Sequence, residues 1–428
     1  MRIAFVSPLP PAATGIADYA AEVLGLLAPR HALEAFHEQP EVDLDRLPPA
    51  CRVFAASELP GRHAAQPYDA VVYQMGNGPA HAFLYPLLRR VPGLLVLHDL
   101  VLHHSRARMF LDAPEVRAYA ADPSSAALRS DALRPLSEYT AELRHCYPGV
   151  AERLAEAQLA TVGPLLPYAY PLFRLPVEVS RATAVHNAFM AAAIRDEVPD
   201  AHVFRIPMPV ERQPVSPVAV TALRRRYGLA PDAFVVASLG LLTPEKRIAT
   251  VAHAVGRVAG ALPHVRLLLV GPVPDRAALD DALSRAGIVD RTVVTGRVPF
   301  TELAAHLDLA DVAVHLRYPT ARETSAALLH LLAQGRATVM SDLEHLAEVP
   351  DGAVVRVDPV DEEGDVVRAL LRLAERPEAR RRIGERAQDF VQREHAPAQA
   401  LEAYEAALVA TAARPAPQRR SLPAHWTA

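Results

Sequence analysis

The sequence predicts an α/β protein made of two doubly wound parallel-sheet domains. Three observations carry this. Short, unbroken aliphatic runs such as Val71-Val72-Tyr73, Leu94-Leu95-Val96-Leu97 and Val235-Val236-Ala237 recur along the chain. Stretches with helical spacing of apolar residues separate them. The alternation is interrupted once by a proline-spaced segment and then starts again. Parallel strands are covered by helices on both faces, so they read as continuous apolar runs and not as in–out alternation. A chain of 428 residues fits two to three domains of about 150 residues each.

Taken in order, residues 3–6 form the first strand and 18–27 an apolar-periodic helix. A weaker strand follows at 53–55, a clear one at 70–74, a helix over 80–90 and a strand at 94–97. From about 105 to 180 the pattern is helical and rich in Ala, Arg and Tyr, which predicts an insertion. Strands return at 182–185 and 203–206. The prolines at 207, 209, 214 and 217 mark a linker. The second half places strands at 234–238, 266–270, 292–295, 312–315, 338–340 and 353–357. Its helices are expected at 248–261, 275–286, 301–310 and 324–334, followed by two charged helices after Gly364 running to about 410. The expected domains are therefore 1–210 and 218–390. A C-terminal helix over 391–412 is expected to pack back toward the first domain, with a disordered tail over 413–428.

Composition narrows the function classes. Lys plus Arg total 45 against 49 Asp plus Glu, for a formal charge of −4. That balance disfavours binding nucleic acid through bulk positive charge. With 51% hydrophobic and 22% charged residues the chain is neither disordered nor a membrane bundle. Two cysteines, Cys51 and Cys146, make no disulfide framework and no metal-ligand spacing. The chain begins directly with a strand, and no apolar run reaches the roughly 20 residues of a membrane helix. A soluble cytoplasmic protein is expected. One number is unusual: there is a single lysine, Lys246, against 44 arginines.

Ligands of open α/β sheets bind beyond the carboxyl ends of the strands, so the post-strand loops hold the candidate residues. The first loop runs from Ser7 through Gly15 into a helix. Gly15 allows close backbone approach, and the helix start offers unpaired N–H groups; simple turn chemistry explains a glycine there equally well. No dinucleotide fingerprint occurs. The loop after 70–74 carries Gly76, Asn77 and His81, and that after 94–97 carries His98, Asp99, His103 and His104. Their spacing fits no standard zinc frame. In the second half, Gly240 to Arg247 leads into a helix. A lysine before a helix start at a strand end suits a phosphate. A lysine is ordinarily a solvated surface residue, but here arginine has taken every other basic position. The run Arg317 to Gly335 has Thr324 or Ser325 as helix N-cap, Glu323 beside it and Gly335 as the stop. That helix end is a second anion site, and Glu323 can accept hydrogen bonds from hydroxyls. Motifs of hydrolases, P-loop NTPases and metalloproteases are missing from the sequence.

Together these loops resemble the retaining nucleotide-sugar glycosyltransferases of the GT-B fold, family 4. The resemblance rests on S-P-x-P-x-x-x-G-I-x-x-Y from Ser7 to Tyr19, G-N-x-x-x-H from Gly76 to His81 and the histidine-rich run from Pro92 to His104. It continues in G-x-L-x-P-E-K-R from Gly240 to Arg247 and P-T-x-x-E-T-S from Pro319 to Ser325, a bacterial Glu-Thr-Ser subgroup. It implies two Rossmann-like domains facing a central cleft. It also implies transfer of a sugar, with retention, from a nucleotide-diphosphate donor to an acceptor hydroxyl without a metal or other cofactor. On this resemblance His98, Lys246 and Glu323 are catalytic. Gly15, Gly240, Lys246, Arg247, Glu323, Thr324, Ser325 and His330 face the donor. Asn77, His81, Asp99 and His103 lie on the acceptor side. The acceptor implied is a sugar, a lipid-linked glycan or a small metabolite, with peripheral membrane contact compatible and no nucleic-acid partner.

This chain departs from the broader family at three places. Leu241 stands where an arginine is usual, with Arg247 as the compensating cation. Counting back from Gly335 puts His330 and Arg322 at two glutamate positions, and Glu323 is displaced by one. These departures keep two alternatives open: a catalytically inactive GT-B binding or assembly subunit, and another GT-B enzyme such as an epimerase or phosphorylase.

Overall fold

A computed structural model describes residues 1–417 and 422–427. Contacts divide the chain into two compact units. Unit 1 comprises Met1–Pro207, Ala321–Thr324 and the chain from Ala398 onward; unit 2 comprises Met208–Thr320 and Ser325–Pro397.

Unit 1 holds a seven-stranded sheet: β1 Arg2–Val6, β2 Ala32–His37, β3 Arg52–Ala55, β4 Ala70–Met75, β5 Leu94–Leu97, β6 Ala182–Val185 and β7 Val203–Arg205. The spatial order is β3-β2-β1-β4-β5-β6-β7, with every pair parallel. β4, β5 and β6 are buried at every position, as their unbroken aliphatic runs require. The order reverses between β1 and β4, so the loops leaving these strands open a crevice at their carboxyl ends. The helix Gly15–Leu27 after β1 starts at Thr14, whose Oγ1 accepts the Ile16 N–H at 3.2 Å. Helices from His103–Leu111 to Arg174–Val179 fill the stretch between β5 and β6.

Unit 2 holds β8 Phe234–Leu239, β9 Val265–Val270, β10 Thr292–Gly296, β11 Val312–His315, β12 Ala337–Ser341 and β13 Val355–Val357. Their order is β10-β9-β8-β11-β12-β13, again all parallel. Apolar clusters cover both faces of this sheet. Its reversal falls between β8 and β11, which sets the loops after those strands side by side.

Several sequence expectations need correction. β2 was not expected, because Glu34 stands in its middle; that carboxylate is buried at 2% exposure and is satisfied by Arg2, Arg52, Arg62 and Tyr68. The helix expected over 80–90 is a short 3-10 turn, Pro79–His81, followed by Leu84–Arg90. The helix expected at 324–334 spans Ala326–Ala333, with Ser325 as its cap. The charged helices after Gly364 are three: Glu362–Ala374, Pro377–Glu394 and Pro397–Ala412. Pro397 forces the last break, because a residue before proline is driven out of the helical region. Within the tail over 413–428, expected to be disordered, residues 413–417 carry no helix or strand. Ala424–Thr427 is helical, and Trp426 is buried at 3% exposure with its indole N–H donating to Glu142 at 2.6 Å. Residues 418–421 and 428 lie outside the described residues. Among the described residues, no helix is long and apolar enough to cross a membrane.

Candidate active site

In unit 2, candidate chemistry gathers at the carboxyl ends of β8, β11 and β12. Gly240, at φ +113°, turns the chain out of β8 and donates its N–H to the Val270 carbonyl at 2.9 Å. Gly271 is required beside it: a Cβ there would lie 2.0 Å from the Gly240 carbonyl oxygen. The turn Pro244–Lys246 then closes with the Lys246 N–H donating to the Thr243 carbonyl at 3.0 Å. This turn folds the Lys246 side chain back over the loop, leaving it 5% exposed. Its Nζ lies 3.3 Å from where a Gly240 Cβ would stand, so the glycine makes room for the ammonium.

Around Lys246 the strand ends supply further basic residues. His315 ends β11 and is fully enclosed; its Nδ1 is buried without a hydrogen-bond partner among the described residues. Burial, followed by the nearby Lys246, Arg317 and His345, pushes its pKa well below the ordinary imidazole range. Arg317 is pinned through its backbone N–H, which donates to Ser341 Oγ at 3.0 Å. Ser341 in turn donates to Glu362 at 3.1 Å. Arg247, at φ +56°, directs its Nε to the same Glu362 at 2.9 Å. Arg247 is thus tied to a buried carboxylate. Ser325 caps the next helix by accepting the Leu328 N–H at 3.3 Å. His330 lies on that helix, edge-on to Phe300 at 5.5 Å.

Unit 1 gathers a different set. His98 follows β5 and is 6% exposed, and both its ring nitrogens are engaged within the unit. His186 Nδ1–H donates to the Ile206 carbonyl at 2.8 Å. His186 Nε2 lies 3.2 Å from His98 Nδ1. His98 Nε2–H donates to the Gln74 side-chain Oε1 at 2.8 Å, Gln74 Nε2 donates to the Tyr404 hydroxyl at 3.3 Å, and Tyr404 pairs with Tyr19 at 2.6 Å. Burial, then the neighbouring His186 and His81, holds His98 well below the ordinary range, so the ring is neutral. His103 is also internal. It donates from Nδ1 to the Tyr170 carbonyl at 2.6 Å and accepts from the Tyr139 hydroxyl at Nε2 at 2.5 Å. Its pKa is lowered to about 4 by burial.

Asn77 links two neighbours: its N–H donates to Asp99 Oδ2 at 2.7 Å, and its Oδ1 accepts the Ser105 N–H at 3.0 Å. His81 Nδ1–H donates to the Gln74 carbonyl at 3.0 Å. Gly15 is exposed, and a Cβ on it would meet nothing within 4 Å. The segment Ala321–Thr324 is part of this unit. Thr324 Oγ1 accepts from Asn187 Nδ2 at 3.1 Å, which also donates to the Arg322 carbonyl at 3.1 Å. Glu323 stands half-buried between them.

Unit 1 therefore brings together Asn77, His81, His98 and Asp99, and unit 2 brings together Gly240, Lys246, Arg247 and Ser325. Sequence reasoning missed Gln74, His186, Tyr404, His315, Arg317, His345 and Glu362. One signal was available: a histidine immediately follows β5 and β6 and ends β11, in closely similar contexts, Val-Leu-His, Ala-Val-His and Ala-Val-His. Among the described residues, no group of three or more His, Cys, Asp or Glu is arranged to hold a metal ion.

Solved structures match nearly the whole chain. Sucrose-phosphate synthase from Thermosynechococcus elongatus superposes with a TM-score of 0.64 at 18% identity, covering 95% of this chain and 98% of that one. HepE of Anabaena, solved in complex with UDP and glucose, gives 0.62 at 15% identity, covering 95% and 99%. The fold is GT-B. Residues 233–376, most of unit 2, match the family described as Glycosyl transferases group 1. A 2-deoxystreptamine glucosyltransferase of Streptomyces kanamyceticus is 33% identical over 135 residues, covering 31% of this chain and 33% of that enzyme. The chain thus aligns with about a third of the length of this curated relative.

Proposed function

We propose that the protein is a glycosyltransferase that moves a sugar, with retention, from a nucleotide-diphosphate donor to an acceptor hydroxyl in the cytoplasm, without a metal. The observation that carries this reading is the buried Lys246 beside His315, Arg317 and His345 at the switch point of unit 2. A departing nucleoside diphosphate needs charge stabilisation that grows as the glycosidic bond breaks. Preorganised cations in a low-dielectric pocket supply it more strongly than solvated ones. The Ser325-capped helix adds backbone N–H groups. Glu323, His98 and Gly15 keep the roles the resemblance implies: Glu323 toward the donor's hydroxyls, His98 near the transferred sugar and Gly15 facing the diphosphate. His98 would then act mainly through how its neutral, internally bonded ring fixes the loop after β5. The match of residues 233–376 to group 1 glycosyl transferases and the glucosyltransferase relative support the reading.

The test is a panel of nucleotide sugars with candidate acceptors, measuring nucleoside diphosphate release and the donor-induced rise in melting temperature, beside Lys246→Ala. One donor is expected to raise the melting temperature and turn over, and Lys246→Ala to lose both. If no donor binds or turns over, the enzyme reading fails. If Lys246→Ala keeps wild-type activity, the phosphate assignment fails.

A further inference from the structure

In unit 1 the last residues of the chain pack on the helices that hold the loop after β4. Trp426 is 3% exposed, and its indole N–H donates to Glu142 Oε1 at 2.6 Å. His425 Nε2–H donates to the same oxygen at 2.8 Å, since a carboxylate only accepts. The His425 carbonyl accepts from Arg89. Glu142 also takes Arg106 Nε–H at 2.9 Å, and the Arg106 guanidinium lies over the Tyr85 ring at 4.3 Å. Tyr85 meets Trp426 edge-on at 6.3 Å, so its ring is held by both. Ser105 Oγ–H donates to the Leu102 carbonyl at 2.9 Å, which makes the Tyr85 hydroxyl the donor to Ser105 Oγ at 3.3 Å. Ser105 is the third residue of the helix His103–Leu111, where an N–H has no partner within the helix. Asn77 Oδ1 takes that N–H at 3.0 Å, and the Asn77 N–H donates to Asp99 at 2.7 Å.

We propose that Trp426 and His425 are positioning residues for the acceptor-side loop, acting through Tyr85 and Arg106 on Ser105 and Asn77. The acceptor role rests on the glycosyl-transfer reading and on the places the resemblance implies for Asn77 and Asp99. Residues 413–417 carry no helix or strand, so side chains at the chain's end, Leu422, His425 and Trp426, fix the segment. Removing the indole takes one donor from Glu142 and leaves an edge of the Tyr85 ring unsupported. A ring free to shift no longer keeps its hydroxyl on Ser105, and the first turn of the helix loosens from Asn77. The loop then holds a bound acceptor less firmly, although none of the residues removed touches it.

The test uses the full chain carrying Trp426→Ala, Trp426→Phe or Tyr85→Phe, beside Glu34→Gln, which disturbs a buried carboxylate on β2. Hydrogen exchange of the Ser105 amide reads the link directly, because Asn77 is what holds that N–H. Steady-state KM values for the donor and acceptor turned over in the panel read its consequence. Trp426→Ala and Tyr85→Phe are expected to speed Ser105 exchange and to raise the acceptor KM, each about tenfold, the scale of one hydrogen bond. The donor KM and exchange over residues 240–247 should not move. Trp426→Phe keeps an aromatic edge against Tyr85 and should fall between Trp426→Ala and wild type. Tyr85→Phe leaves the core filled, so it decides the matter where Trp426→Ala fails to fold. Glu34→Gln should lower the melting temperature while leaving Ser105 exchange and the acceptor KM as they are. Unchanged Ser105 exchange in Tyr85→Phe and Trp426→Ala, the same response in Glu34→Gln, or donor and acceptor KM rising in parallel overturns the inference. If wild type turns over no pair, the glycosyl-transfer reading fails and takes the acceptor role with it; a failure of the link itself shows separately, in the exchange data.

Discussion

Replacing Glu142 by Gln tests whether the C-terminal residues are held by a buried ion pair. Glu142 is 1% exposed and Arg106 5% exposed. Arg106 Nε donates to Glu142 Oε2 at 2.9 Å, with a second, shorter bond from its terminal nitrogen. His425 and the Trp426 indole N–H add bonds of 2.8 and 2.6 Å, and Arg106 stacks over Tyr85 at 4.3 Å. Burial alone would raise the carboxyl pKa. Arg106, His425 and Trp426 overcome that and lower it to about 2 from an ordinary 4.5. At about 1.4 kcal/mol per pH unit this is on the order of 3 kcal/mol, in line with the cost of breaking a buried pair. Because the folded-state pKa is depressed, the contribution is complete above about pH 4.5 and is lost as the pH falls toward 2. The chain has a single tryptophan, so Trp426 fluorescence reports on this cluster directly. In urea titrations at pH 7, Glu142→Gln should lower stability by about 3 kcal/mol and red-shift the native emission. The gap to wild type should narrow as the pH drops from 4.5 toward 3. A change under 1 kcal/mol at pH 7, or a gap that does not depend on pH, would refute the reasoning.

Lys246→Arg is expected to reduce transfer, since the planar guanidinium does not fit where the ammonium nestles against Gly240; Arg225→Lys on an exposed helix face should leave kcat and KM unchanged, and steady-state kinetics decide both. Gly15→Ala meets no atom in the protein, so its melting temperature should stay within a degree or so, while donor turnover falls at least about tenfold if substrate approaches that backbone. His81, His98, His103 and His315 all have pKa values lowered by burial, so they are neutral when folded and charged when unfolded near pH 5. Unfolding at pH 5 should take up about four protons from these rings, with stability present above about pH 6.5 and lost as pH falls toward 4; calorimetry in buffers of different ionisation enthalpy measures the uptake.

The sequence made the sheet legible wherever burial alone decides residue type. β4, β5, β8 and β9 are nearly pure aliphatic runs, and they were found. β2 was hidden because its Glu34 is neutralised by three arginines and a tyrosine from other elements, partners that local pattern cannot reveal. Trp426 was lost for the same reason: its partner Glu142 is 284 residues away. The loops of the candidate site were legible because glycine, histidine and lysine at strand ends carry their chemistry in their identity. The residues that fix them were not. His186 is 88 residues from His98 and Tyr404 is 330 from Gln74, so only the folded sheet brings them together.

The single lysine also makes the protein a natural target for selective modification. An amine-reactive acylating or reductive-alkylating reagent has one side-chain target in the whole chain, Lys246, together with the terminal amine. Because Lys246 is only 5% exposed, its labelling rate reads out how open the loop after β8 is. One mass increment on one peptide would then follow occupancy of the proposed phosphate site in solution, with no mutation introduced.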